Sequence, residues 1–181
     1  MNHYSDKELL EQFSNGNADY AFNLIVRKYQ QKIYTHVRRL VADHDDADDL
    51  TQTTFIKAWK ALGNFRADAQ LYTWLYRIAT NECYTFLKNK RKRYFIPIHD
   101  VEAELADKLE HEPSLKANEL ELKLQKAILS LPEKQRVVFN LRYYDEMKYE
   151  DMSEVLGTSV GALKASYHHA AQKIEKFLQS F

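Results

Sequence analysis

The sequence predicts an all-α fold: two small helical domains joined by an acidic linker, the second a four-helix domain ending in a helix-turn-helix. Three observations predict it. Four Gly and three Pro are few for 181 residues, whereas Leu, Lys, Glu, Ala and Gln, which a helix accommodates at little cost, are abundant. Apolar residues recur at spacings of three and four, and Thr and Tyr show no sustained alternation of period two. Near the C-terminus two such stripes are separated by a single glycine, as a helix-turn-helix requires.

That stretch runs from Tyr149 to Ile174. Met152, Val155 and Leu156 fall on one helical face, and Gly157 follows where a helix ends in a residue at positive φ. Thr158 or Ser159 can then cap the next helix by accepting from a free backbone N–H. Val160, Leu163, Tyr167, Ala170 and Ile174 form the second stripe. Two ordinary core helices would give the same periodicity. The small residues Ser153, Gly161, Ala162, Ala165 and Ser166 favour a DNA reader: they allow a close crossing and leave the second helix slim enough for a major groove.

From the N-terminus, Ser5 and Glu8 form a capping box that opens a helix carrying Leu9, Leu10 and Phe13. Asn15-Gly16-Asn17 stops it, and Asn17 can cap a long second helix that reaches about Val41. Asp43, Asp45, Asp46, Asp48 and Asp49 crowd the next start. Acids there face the partial positive charge of a helix N-terminus; a calcium loop is the alternative, but the Gly turn and terminal Glu of an EF-hand are missing. The helix that follows is expected to turn Phe55, Ile56, Trp59 and Leu62 inward and to leave Asp49, Gln52 and Lys60 outside. Gly63-Asn64 ends it.

After the loop Phe65–Gln70, residues 71–87 read as a helix that is apolar nearly all round, followed by the basic tail Lys88 to Arg93. Tyr72, Trp74, Tyr76, Tyr84 and Phe86 are too many aromatics for one core face. Aromatics beside a basic run suit single-stranded nucleic acid, in which bases stack and cations follow the backbone. A core helix with a solvated basic end is the plainer alternative. Between Asp100 and Glu112 six acids stand against Lys108, and Pro113 closes a segment read as a linker. Beyond it, Leu120 to Leu131 gives one helix. Pro132 is expected at the first position of the next, which runs to Tyr144.

Formal charge is zero, so nucleic-acid affinity has to come from local patches. A single cysteine, Cys83, excludes an internal disulfide and fits a reducing compartment. No apolar run approaches membrane length and the N-terminus lacks a signal h-region, so a soluble, cytoplasmic protein is expected without membrane insertion. No paired nucleophile and base, phosphate-binding Gly loop or Cys/His cluster is found, and no cofactor, metal or enzymatic activity is expected. His168-His169 point in different directions on a helix and make a poor metal pair.

Taken together, the motifs resemble bacterial RNA polymerase sigma factors of the extracytoplasmic-function (ECF) group of the sigma-70 family, over nearly the whole chain. Asp46, Asp49, Leu50, Gln52, Phe55 and Trp59 match the motif for docking on the clamp helices of the largest polymerase subunit. Phe65-Arg66 with Tyr72, Trp74, Arg77 and Asn81 matches the segment that melts and reads the −10 element. The resemblance implies that Phe65 and Asn81 hold a flipped base, and Lys88, Lys90, Arg91, Lys92 and Arg93 would anchor phosphates. Leu131-Pro132-Glu133-Lys134-Gln135-Arg136 precedes the helix-turn-helix as in the −35-binding domain, where Ser159, Gly161, Ala162, Lys164, Ala165, His168 and His169 are the candidate contacts. The implied division is 1–94 (region 2), 95–117 (linker) and 118–181 (region 4). The implied partners are core RNA polymerase, including the flap of its second largest subunit, promoter DNA and an anti-sigma factor.

The chain departs from the pattern twice. Ala162-Leu163-Lys164-Ala165-Ser166 lacks the recognition-helix Arg of many relatives, and Thr53-Thr54 replaces an acid in the docking motif. A stand-alone helix-turn-helix regulator with a helical sensing domain is the competing reading; it explains 119–181 but gives the docking helix and the Trp74-centred helix no role.

Overall fold

The computed structural model describes residues 4–65, 70–94 and 119–180. Among these the regular elements are eight α-helices: α1 (Asp6–Ser14), α2 (Ala18–Val41), α3 (His44–Leu62), α4 (Leu71–Tyr94), α5 (Glu119–Leu129), α6 (Glu133–Tyr143), α7 (Tyr149–Leu156) and α8 (Val160–Gln179). Arg66 and the whole of the acidic linker 95–117 lie outside the described residues, as do the side chains of Arg93 and Tyr94.

The local signals translate into caps with some substitutions. The Ser5/Glu8 box forms in both directions. Asn17 makes no side-chain cap; its place at the start of α2 rests on backbone geometry alone. α2 ends at Ala42, which takes a left-handed conformation at φ 56° and donates its N–H to the Arg38 carbonyl. Asp43 caps α3 by accepting from the Asp46 N–H at 2.9 Å. Pro132 sits one residue before α6, not inside it. The basic tail does not leave the helix: α4 continues through it to Tyr94, since Lys and Arg are good helix formers and no breaker intervenes.

α2 is the spine of the first half, with α1, α3 and α4 packed around it. Ile25, Ile33 and Val37 are fully enclosed. The Tyr29 hydroxyl donates to the Asp6 carboxylate, which also receives Lys28 Nζ at 2.7 Å, tying α1 to the spine. In α3, Phe55 and Leu62 turn inward as expected, but Ile56 is 54% and Trp59 38% exposed. Four inward residues span too wide an arc for the stripe that α2 can cover, and the two at its margin are left outside. In the second half α8 packs on α5, α6 and α7, enclosing Ile128, Leu131, Phe139, Ala170 and Ile174.

The two halves are not held apart. α7 lies along α4, and α6 against α2. Val137, Leu141, Met152, Val155 and Leu163 join one apolar cluster with Leu71, Leu75 and Tyr76. Polar contacts frame this seam: Arg39 Nη1 donates to Asp145 Oδ1 at 3.1 Å, Arg91 Nη2 to Glu133 at 2.8 Å, and Thr73 Oγ1 to Glu154 at 3.0 Å. The Arg39 guanidinium also lies 4.2 Å from the Tyr144 ring centroid. Buried Asn140, between Val137 and Tyr144 on the surface of α6, has neither side-chain atom hydrogen-bonded. An unpaired buried amide of this kind costs about 1–3 kcal/mol.

Candidate polymerase- and promoter-binding surfaces

The docking candidates divide by position on α3. Leu50 and Phe55 are buried and anchor the helix, so their part in any contact is to fix it in place. Asp49 and Gln52 are exposed, three residues apart and therefore neighbours on one face. Gln52 lines a groove of about 330 Å³ with Gln30, Gln31, Tyr34, Asp48 and Thr51. Asp46 lies 3.8 Å from Lys90 Nζ, a pairing that joins α3 to the basic end of α4. Trp59 stands edge-on to Phe13 and Phe22, with centroids at 5.8 and 5.0 Å. Its exposed edge, with Ile56, gives this face an apolar flank.

On α4, burial sorts the aromatics. Tyr76 is enclosed and structural, whereas Tyr72 and Trp74 are half-buried. Phe65 meets Trp74 at 4.9 Å and Tyr72 meets Tyr76 at 4.8 Å between ring centroids. The Tyr72 phenol is pushed up to about 12, first by burial and then by the charges of Asp145 and Asp151. It therefore stays neutral, a stacking surface and hydrogen-bond donor, at any physiological pH. Arg77, Asn81, Lys88 and Lys92 are exposed. Phe65 borders an open groove of about 840 Å³ beside Leu10, Phe13 and Leu71. Asn81 instead borders a crevice of about 220 Å³ between the halves, with Tyr84, Lys134, Leu163 and Ser166. The two residues expected to share one base thus line different cavities in this conformation.

In the second half the turn forms as the sequence predicts. Gly157 adopts φ 61° and donates to the Ser153 carbonyl at 2.9 Å. Ser159, not Thr158, is the cap, its Oγ accepting from the Ala162 N–H. Gly161, Ala162, Lys164, Ala165, His168 and His169 are all exposed on α8. A Cβ added to Gly161 would meet nothing, so the small residues Gly161, Ala162 and Ala165 thin the outer side of the helix and play no part in the crossing. One cation was not assigned a role by sequence reasoning. Arg142 and Lys164 lie 5.2 and 5.7 Å from the centroid of the same Tyr149 ring. An arginine 22 positions upstream is thereby brought beside α8, whose first turns carry no arginine. Only the fold could reveal it.

Comparison with known proteins agrees on both halves. Residues 25–93 match the family model for Sigma-70 region 2, and residues 121–174 that for Sigma-70, region 4. Over 96% of its length the chain is 38% identical to the RNA polymerase sigma-H factor of Pseudomonas aeruginosa, of which it covers 94%. The chain belongs to the ECF sigma factors. It is 35% identical to the ECF RNA polymerase sigma-E factor of Escherichia coli, with 97% of this chain and 95% of the relative covered.

As a sigma factor it is a promoter-directing initiator of transcription, and the reading as a stand-alone regulator is not favoured. Its all-helical fold is shared by CnrH, solved in complex with the cytosolic domain of CnrY, at a TM-score of 0.71, 25% identity and 97% coverage of both chains. It is shared too by the sigma factor RpoE of Bartonella quintana, solved with the anti-sigma factor NepR, at a TM-score of 0.70, 23% identity and coverage of 87% of this chain and 96% of that one. Among the described residues of this sigma factor no helix is long and apolar enough to cross a membrane. What sequence reasoning missed is the pairing of Asp145 with Arg39 on α2, 106 residues away. No local pattern encodes it.

Proposed function

We propose that this sigma factor works through three surfaces, one for the polymerase and two for DNA. Docking on the clamp helices runs through Asp49 and Gln52, with Asp46 and the exposed edge of Trp59 at the margins and Leu50 and Phe55 holding α3 in place. The −10 element is melted and read by Phe65, Arg66, Tyr72, Trp74, Arg77 and Asn81. Half-buried aromatics can stack on unpaired bases without losing their seat in the fold, and stacking is worth about 1–3 kcal/mol per base. Lys88 to Arg93 hold phosphates and contribute affinity without sequence information.

The −35 element is met by α8 through Ser159, Gly161, Ala162, Lys164, Ala165, His168 and His169. Arg142 stands in for the missing arginine as a phosphate contact. Residues 1–94 and 118–181 act as separate modules on the polymerase, joined by 95–117. The second module rests on the flap of the second largest subunit, and an anti-sigma factor is the regulatory partner. The protein acts in the cytoplasm, where its polymerase is, and catalyses no reaction itself.

The observation that carries this reading is the outward face of α3, where Asp49 and Gln52 stand exposed above the buried pair Leu50 and Phe55. Purified core polymerase should retain the chain at one to one and gain run-off transcription from genomic fragments. A chain that leaves core polymerase unretained and silent would exclude it.

A further inference from the structure

The outer side of α8 carries little fixed charge. From Gly161 to Gln172 its exposed residues include one permanent cation, Lys164, and two imidazoles, His168 and His169. Lys164 is shared with the Tyr149 ring, its Nζ 5.7 Å from the centroid. Phosphate oxygens and the N7 and O6 edge of guanine are acceptors, and they call for cations and N–H donors. A neutral imidazole brings one donor and no charge; a protonated one brings two donors and a charge.

The fold makes no use of either ring. Among the described residues neither imidazole has a hydrogen-bond or ion-pair partner; they meet each other, with ring centroids 6.0 Å apart. The charged groups around them are cationic or engaged elsewhere. On α8, Lys164 stands one turn before His168, and Lys173, one turn beyond His169, donates to Gln135 of α6 at 3.0 Å. On α6, Glu133 is held by Arg91, and Arg142 lies against the Tyr149 ring. On α7, Asp151 and Glu154 accept from Gln70 and Thr73 at the start of α4, and Glu150 is an exposed acid of the first turn. On α5, Glu119 is paired with Lys123 at 2.8 Å. Two imidazolium ions as close as His168 and His169 repel, so the free chain resists taking both protons. A phosphate beside them removes that resistance.

We propose that −35 recognition by this sigma factor is linked to proton uptake: His168 and His169 hold the DNA as imidazolium ions and supply the positive charge that α8 otherwise lacks. This rests on the reading of α8 as the −35 helix given above. An imidazole ordinarily takes its proton near about pH 6.5, and beside a phosphate it holds that proton more tightly than in the free chain. Affinity is therefore gained on the acid side and lost as pH rises through the value of the complex. A fall in intracellular pH then favours promoters that depend on their −35 element over those that do not.

The test uses holoenzyme, core polymerase with the full chain, on a promoter fragment recovered by run-off transcription and on the same fragment with its −35 element scrambled. The ratio of the two affinities isolates α8, because pH effects on the polymerase and on the −10 contacts are common to both. In wild type that ratio should rise about tenfold as pH falls from about 7.5 to about 6.5, the slope for one proton taken up. Its salt dependence should steepen in acid by about 0.9 for each imidazole that meets a phosphate. His168→Gln with His169→Gln, both at exposed positions, should flatten the pH profile. His169→Arg should raise the ratio at the alkaline end and make it less sensitive to pH. A wild-type ratio that ignores pH, or a slope that survives in the double glutamine variant, overturns the proton linkage and leaves α8 as the −35 helix. Holoenzyme indifferent to the scrambling at every pH contradicts the reading of α8, and this inference with it.

Discussion

Asp49 and Gln52 owe their significance to what they do not touch. Both project from a helix whose opposite side is closed by Leu50 and Phe55, so truncating them tests the proposed docking without opening a cavity. Asp49→Ala with Gln52→Ala should weaken core binding in a pull-down titration while thermal stability stays within about 0.5 kcal/mol. Unchanged core affinity would move the docking surface elsewhere. Asn81 and Phe65 ask a different question, because the base-holding role proposed for them begins only once strands separate. Phe65→Ala and Asn81→Ala should depress open-complex formation on duplex promoters more than on templates already melted at −10; equal losses would give both a role in the fold or in general binding. Tyr72 reports on the seam. Its phenol sits near 12 because it is covered and faces Asp145 and Asp151. The neutral form is the one favoured in the folded chain, so the stability it contributes is fully present below the ordinary tyrosine value of about 10. It is lost as pH rises from there through about 12. In Asp145→Ala, a tyrosine-ring NMR titration should find Tyr72 nearer 10, and an unmoved midpoint would deny that Asp145 governs its surroundings.

Among the elements, the helix-turn-helix was the most legible in sequence, because each of its parts is a local device. A glycine at the end of one stripe, a hydroxyl before the next and two apolar periodicities need no distant partner to be recognised. Gly157 at φ 61° is the sharpest case. Open space surrounds it, so Gly157→Ala brings no clash, only the left-handed penalty of about 1–2 kcal/mol. Thermal or urea unfolding should register that loss together with weakened −35 binding; a neutral substitution would mean that the turn relaxes. Ser159→Ala should remove a cap worth about 1 kcal/mol. The inward face of α3 was less legible. Periodicity marks a stripe but not how much of it a neighbour covers, and Ile56 and Trp59 lie just beyond the edge of α2. The length of α4 escaped notice for a related reason. A basic run after an apolar stripe reads as a tail, although nothing in Lys88 to Arg93 breaks a helix.

At the scale of the whole molecule, sequence and structure speak of different things. The order of motifs leads to an expectation of two domains with distinct duties. That α7 folds back on α4, and that Asp145 reaches Arg39, depends on contacts between residues dozens to a hundred positions apart. The packed seam arose from that return, whereas the arginine beside α8 comes from packing inside the second half, where Arg142 and Lys164 meet over Tyr149. The second half offers few cations on α8 and the chain has no net charge, so the two DNA-binding halves are expected to be weak alone and strong only when linked, since the first contact raises the effective concentration of the second. Their separation on the polymerase then becomes a geometric requirement on the promoter. The most direct measurement is run-off transcription by the full chain with core polymerase, on a responsive promoter and on the same promoter with about five base pairs inserted between its −35 and −10 elements, which turns one element to the opposite face of the duplex. Two-site recognition requires the insertion to abolish the transcript; an undiminished transcript from the lengthened promoter would contradict it.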